Sequence, residues 1–306
     1  MTAKPIVVGV DGSHESVRAA QLGWRLATET GAPLRLVHAL TDIWAAAATA
    51  PLPVAPGLDE LLVADARQAV TESLGRRLPP DALRTLEIHV GRTAAVLTRA
   101  AAGAELVIVG GKRHGALARG LGGSTAHALI RAADVPVMVA VLDQWPIRRV
   151  LAAVDFSDAA GPTLAAARRL AAQRVARLRV MHAVEPARAP KVLAAHVDDE
   201  QIHQNAVLGL ERLAAELPEV VVHDRVTRRG PAADAIAAEA ADWEADVVVV
   251  GSHGKGWVDR MLVGSVTERL LVLLPATLLV VPVHTHVGGS RWKTAEVGDG
   301  VPQEAL

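Results

Sequence analysis

The 306-residue chain has no cysteine, no tyrosine and a single phenylalanine, Phe156. Without thiols there is no disulfide, no cysteine nucleophile and no cysteine-ligated metal, a composition compatible with a reducing compartment. With aromatic residues at 2%, the core has to be built from Ala, Val and Leu, which suit parallel strands buried on both faces. No stretch reaches the ~18 continuous apolar residues of a membrane span, and the apolar run at residues 5–10 is too short for a signal peptide. The formal net charge is −1. Acids and bases are interspersed, with neither a basic stripe nor an aromatic platform, which argues against a nucleic-acid partner. These absences predict a cytoplasmic protein with no membrane or nucleic-acid partner.

What is present is a repeat. The length is about twice a domain of ~100–150 residues, and the chain aligns with itself at an offset of about 140 residues. Ile6-Val7-Val8-Gly9-Val10-Asp11-Gly12-Ser13 answers Val150-Leu151-Ala152-Ala153-Val154-Asp155-Phe156-Ser157. Residues 34–39 (LRLVHA) answer 178–183 (LRVMHA), and 105–110 (ELVIVG) answer 246–251 (DVVVVG). Gly123-Ser124 answers Gly264-Ser265, and 136–141 answer 276–281. The blocks keep their order, so the chain divides into domains at 1–144 and 145–285, with Trp145-Pro146 at the joint. Residues 286–306 lack periodicity and read as a disordered tail.

Within each copy short aliphatic runs alternate with segments of helical period, the βαβα pattern of a parallel sheet. Strands are predicted at 5–10, 34–39, 85–90, 105–109 and 136–141, then at 149–154, 177–183, 220–226, 246–250 and 277–281. Helices are predicted at 15–30, 58–78, 93–102 and 124–133, and the proline-rich stretch 41–57 reads as a loop. Right-handed crossovers then give two Rossmann-like, doubly wound, five-stranded parallel sheets in tandem. The fifth strands are aliphatic and would lie at sheet edges, which proteins rarely leave uncovered. Antiparallel pairing of one with the other is the simplest cover within a single chain.

In open α/β sheets ligands bind beyond the carboxyl ends of the strands, where strand order reverses. Asp11 and Asp155 stand at the end of the first strand of each copy, where a carboxylate can accept from ribose hydroxyls or organise the next helix start. The fourth strand of the second copy ends in Gly251-Ser252-His253-Gly254, and nine residues later Gly264-Ser265 opens a helix. Glycines there let backbone N–H groups approach phosphate oxygens, and Ser265, Val266 and Thr267 offer a helix N-terminus to an anion. An ordinary flexible loop before a helix is the alternative.

Gly251-x2-Gly254-x9-Gly264-Ser265 resembles the ATP-binding signature of the universal stress protein family, and Ser265-Val266-Thr267-Glu268-Arg269 continues the likeness. So do Val8-Gly9-Val10-Asp11-Gly12-Ser13 and the pattern around His182. The resemblance implies strand order 3-2-1-4-5, an adenine nucleotide in the crevice (ATP, alone or with Mg²⁺ on its phosphates), and pairing of domains through the fifth strand. Further dimerisation of the whole chain is compatible with it. Carried over, Asp155 would hold the ribose, the Ala183 backbone would face the adenine edge and Val250 its plane. Gly251, His253 and Gly254 would line the ribose and phosphates, and Gly264, Ser265, Val266 and Thr267 the phosphate tail. In the first copy the counterparts are Asp11, Ala39, Val109, Gly110, Gly123, Ser124, Thr125 and Ala126. There the motif departs, because Arg113 replaces the second glycine. Its guanidinium could pair with a phosphate but cannot give the same backbone approach.

His38 and His182 occupy matching positions near strand ends without metal-ligand spacing, and read as packing or hydrogen-bonding residues. No acid–base pair, acidic metal cluster or P-loop lysine accompanies the glycine motif. The leading reading is therefore an ATP-binding regulator of the stress response, at most a slow ATPase. An adenylyl-transfer or pyrophosphatase-type enzyme is a second reading, although the Ser-Gly-Gly-x-Asp-Ser loop of that group is missing. A nucleotide-free dimerisation scaffold is a third.

Overall fold

The computed structural model describes residues 3–41, 58–112, 125–141, 145–185, 199–215, 222–253 and 263–283. The proposed tail, most of the loop after the second strand, and Arg113, Gly123, Ser124 and Gly254 lie outside the described residues. The first repeat runs β1 (Ile6–Gly9), α1 (His14–Thr30), β2 (Leu34–Leu40), α2 (Leu58–Gly75), a short α3 (Pro80–Leu83), β3 (Leu86–Val90), α4 (Thr93–Ala101), β4 (Leu106–Gly110), α5 (Thr125–Ala132) and β5 (Val137–Ala140). The second runs β6 (Arg149–Ala153), α6 (Ala160–Arg174), β7 (Arg177–Val184), α7 (Asp199–Ala215), β8 (Val222–Arg229), α8 (Ala232–Asp242), β9 (Val247–Gly251), α9 (Ser265–Leu273) and β10 (Thr277–Val281).

The strands form one sheet in the order β3-β2-β1-β4-β5-β10-β9-β6-β7-β8. Each half reads 3-2-1-4-5 and is parallel, and the halves meet in the antiparallel pair β5–β10, with Leu278 opposite Val139 and Val280 opposite Val137. Aliphatic runs become strands here because both faces are covered by helices. Alternate residues enter opposite layers, as the two-residue period requires. Val8, Leu36, Ile108, Met138, Val180 and Leu279 pack on one side. Their neighbours Val7, Val37, Val107, Val139, Met181 and Val280 pack on the other.

Helix ends follow local chemistry. Ser13 caps α1 by accepting from the Ser16 N–H (3.2 Å), and Gly31 closes it in the left-handed conformation at φ +67°. The buried stripe of α1, including Ala19, Leu22 and Leu26, faces the sheet. Trp243 is buried behind α8, and Trp24 packs against the core from α1. Trp145, at the joint, has the guanidinium groups of Arg25 and Arg174 near its ring, each 5.5 Å from the ring centre.

Candidate functional site

β6 and β9 lie side by side in the second half, and the chain leaves their carboxyl ends in diverging directions. A cavity of about 420 Å³ opens there, within the ~300–1,000 Å³ range of small-molecule sites. Asp155, Ala183, Val250, Gly251, His253, Gly264, Ser265, Val266 and Thr267 all lie on its wall. The segments holding these residues are thus brought together from four places in the chain.

Asp155 is locked into a turn. One carboxylate oxygen accepts from the Ser157 N–H (3.1 Å) and hydroxyl (2.5 Å), and the Ser157 hydroxyl accepts from the Ala159 N–H (3.2 Å). The serine, not the aspartate, meets the helix backbone. Asp11 repeats this with Ser13 (3.0 and 2.5 Å). Burial works to raise the Asp11 pKa, but the hydrogen bonds from Ser13 and Ser16, with His38 nearby, hold it below the ordinary aspartate value.

His182 donates from Nδ1 to the Val154 carbonyl (2.7 Å), and His38 does the same to Val10 (2.7 Å). Each imidazole ties the end of one strand to the chain leaving its neighbour, the hydrogen-bonding role its position suggested. The His182 ring also stacks on Phe156 at 4.2 Å. Phe156 holds φ +57° where the first repeat has Gly12 at φ +80°. Its ring lies over Gly209 of α7, where a Cβ would come within 3.0 Å of it.

At the other end, backbone bonds stitch the loop ends together. Ser252 N–H donates to Val281 (2.8 Å), and Gly264 N–H donates to Ser252 (2.9 Å). The Thr267 hydroxyl donates to the Gly251 carbonyl (2.8 Å). The buried Ser252 hydroxyl accepts from Val283 N–H (3.0 Å) and shares a hydrogen bond with His253 Nδ1 (2.9 Å). His253 Nε2 is buried without a partner among the described residues. Burial pushes the His253 pKa down. The N-cap of α9 is Gly264, and no side chain caps the helix. Its first N–H groups and the positive end of its dipole therefore face the cavity.

The counterparts in the first repeat sit differently. Asp11, Ala39, Val109 and Gly110 stand at matching strand ends, and Thr125 and Ala126 open α5. However, α1 starts at His14, while α6 starts at Ala160, the counterpart of Ser16. The first turn of α1 consequently leans on β4. A Cβ on Gly110 would lie 2.5 Å from the Glu15 carbonyl carbon, whereas one on Gly251 would lie 3.0 Å from Ala159 Cβ. The residue facing the crevice is thus Glu15 in one repeat and Ala159 in the other.

The cavity also recruits residues that sequence reading missed: Ala159 just before α6, Ala160 and Thr163 on α6, Glu185 just after β7, Ile202 and Ala206 of α7, and Ala232 and Ile236 of α8. Glu185 could have been suspected as an acid two residues past Ala183. Its carboxylate accepts from the Ala232 N–H (2.9 Å) and caps α8. Ile202 and Ala206 carry only the spacing of an apolar helix face. Among the described residues no three His, Asp or Glu side chains gather as a metal site, and no helix is long and apolar enough to cross a membrane.

The fold and the crevice define a class: a pair of open α/β domains with an uncapped helix N-terminus at the topological switch point. The family model of the universal stress protein family matches residues 2–140 and again 146–282. A universal stress protein of Mycobacterium tuberculosis is 34% identical over 285 residues, covering 87% of this chain and 92% of the relative. One from Mycolicibacterium smegmatis is 32% identical over 294 residues, covering 90% and 96%. A universal stress protein from Archaeoglobus fulgidus shares the fold at a TM-score of 0.62 and 18% identity, covering 92% of this chain and 99% of that one. The chain belongs to the universal stress protein family and carries two copies of its domain.

Proposed function

We propose that the second repeat binds ATP in its crevice, alone or with Mg²⁺ on the phosphates, and that the protein is a cytoplasmic, nucleotide-dependent stress-response regulator rather than a committed enzyme. The observation that carries this reading is the bare N-terminus of α9, which opens on a cavity of suitable size beside Gly251. A triphosphate tail placed there meets backbone donors and a favourable dipole. Asp155 is then placed for the ribose, and Ala183 and Val250 for the base. Domains at 1–144 and 145–285, paired through β5 and β10, make one unit in this reading, which can dimerise further.

Nucleotide bound only by the folded chain stabilises it by ~2.7 kcal/mol at a hundred times its dissociation constant, and ~1 kcal/mol moves Tm by ~2–4 °C at this size. Saturating ATP is expected to raise Tm by about 5–10 °C, and GTP by much less. Mass spectrometry of the denatured, freshly purified protein is expected to show an adenine nucleotide. Equal shifts with both nucleotides would defeat the adenine assignment. Rapid release of AMP and pyrophosphate would favour the adenylyl-transfer enzyme instead.

A further inference from the structure

The floor of the cavity carries a polar group that the fold itself does not use. Thr163 is 1% exposed, lies on the second turn of α6, and stands on the cavity wall. Its hydroxyl is 3.3 Å from where a Gly251 Cβ would be. The Gly251 carbonyl is already taken by Thr267. Three neighbouring hydroxyls have partners: Ser157 binds Asp155, Ser252 binds Val283 and His253, and Thr267 binds Gly251. The Thr163 hydroxyl makes no hydrogen bond to the described residues and lies on the cavity wall. Thr28 and Thr30 of α1 give theirs to the carbonyl four residues back, of Trp24 (2.8 Å) and Leu26 (2.7 Å), whereas Thr98 of α4, away from this cavity, also leaves its hydroxyl without a partner among the described residues.

Buried hydroxyls are seldom left unpaired, because desolvation without a partner is costly. Where one is left facing a cavity, what fills the cavity, water or ligand, can supply the partner. The first repeat supports the distinction: the counterpart of Thr163 is Ala19, fully buried, under the helix turn that leans on Gly110. The helix does not need a hydroxyl at this position.

We infer that Thr163 is a ligand-binding residue of the second repeat and that its hydroxyl hydrogen-bonds the ribose of the bound nucleotide. The inference rests on the ATP reading above, and the position selects the ribose. A ligand with its base at Ala183 on β7 and its phosphates at α9 beyond β9 must cross β6 between them. Adjacent strands are ~4.8 Å apart, so the sugar spans the gap between Asp155 and Gly251. The Thr163 hydroxyl lies under that span, on the Gly251 side.

The test is calorimetric titration of the full chain and of T163V, T163A and T163S with ATP and with adenosine. Loss of one neutral hydrogen bond is expected to weaken ATP binding about 3- to 10-fold in T163V and T163A. T163S is expected to stay within about twofold of the native chain. Adenosine should lose the same factor as ATP, because the contact is to the sugar. Ligand-free T163V should melt no lower than the native protein, since valine replaces an unpaired hydroxyl with a methyl group of similar shape. A merely structural threonine would give the reverse: a lower Tm and unchanged affinity. Unchanged affinity for both ligands in T163A overturns the inference and leaves ATP binding standing. A loss for ATP alone moves the contact to a phosphate and overturns the ribose assignment. No binding of either ligand by the native chain defeats the ATP reading, and this inference with it.

Discussion

The two repeats share a framework and differ in what they do with one crevice. Both end their first strand in an aspartate that grips a serine two residues on, and both tie the second strand to the first through a histidine. In the second repeat α6 begins late, Ala159 and Thr163 face the crevice, and a cavity of about 420 Å³ remains. In the first repeat α1 begins two residues earlier, so that Glu15 crowds Gly110. Duplication preserves the sheet because aliphatic strands are buried on both faces. The crevice lies at the strand ends, where the two repeats differ in the first turn of one helix.

The largest expected effect tests whether the halves stand alone. Val280 of β10 is 1% exposed and pairs with Val250 on one side and Val137 on the other. Proline there removes a ladder donor from a central strand, where proline is essentially not found. Because β10 and β5 share the junction, V280P is expected to lower the melting transition of the whole chain. It is also expected to speed hydrogen exchange in β4 and β5 of the first repeat. Exchange confined to the second repeat would show that the halves fold independently.

A second experiment exchanges the crevices. A159E copies the residue of the first repeat into the second, placing a carboxylate where phosphates are proposed to lie. ATP affinity is expected to fall by at least about 100-fold, about 2.7 kcal/mol, through like-charge repulsion and lost volume. Circular dichroism should show that the fold is kept. If calorimetry shows undiminished affinity, the phosphates are not at α9.

The contrast also shows what was legible in the sequence. The strands announced themselves: runs such as Val247-Val248-Val249-Val250 have one good use in a chain that alternates them with helical segments. The glycine spacing after the fourth strand was read from the residues themselves, while the strand order came from family likeness, and the structure gives that order in each half. The lengths of helical turns were less legible. A helix predicted from residue 15 starts at His14, a one-residue difference, yet the consequence for Gly110 depends on tertiary packing. Thr163 and Ala159 were missed because a single threonine or alanine on an apolar helix carries no pattern of its own. Only the cavity behind it gives such a residue meaning. Arg113 was read as the mark of a divergent first site, and Glu15, the residue seen beside Gly110, was not.

The smallest expected effect concerns an ion pair that the two repeats build differently from the same arginine. Arg35 and Arg179 occupy matching positions on the second strand of each copy. Arg179 joins a network with Asp224 and with Glu239, which Arg228 also holds (2.8 Å). Arg35 makes a two-point pair with Glu87 (2.8 and 2.9 Å), and His89 lies 3.0 Å from the same carboxylate. The bond from Arg35 outweighs desolvation and, with His89, holds the Glu87 carboxyl down to about 2. A carboxylate whose pKa falls on folding stabilises the native state above its unfolded value, ~4.3, and the gain is lost as pH falls towards 2. E87Q is therefore expected to lower stability at pH 7 by about 0.5–1 kcal/mol, the modest value reflecting a pair one-third exposed to solvent. The gap between native and E87Q chains should close between about pH 4.5 and 2, and shrink in high salt. A gap that is constant across that range would mean that Glu87 acts through packing and not through its charge.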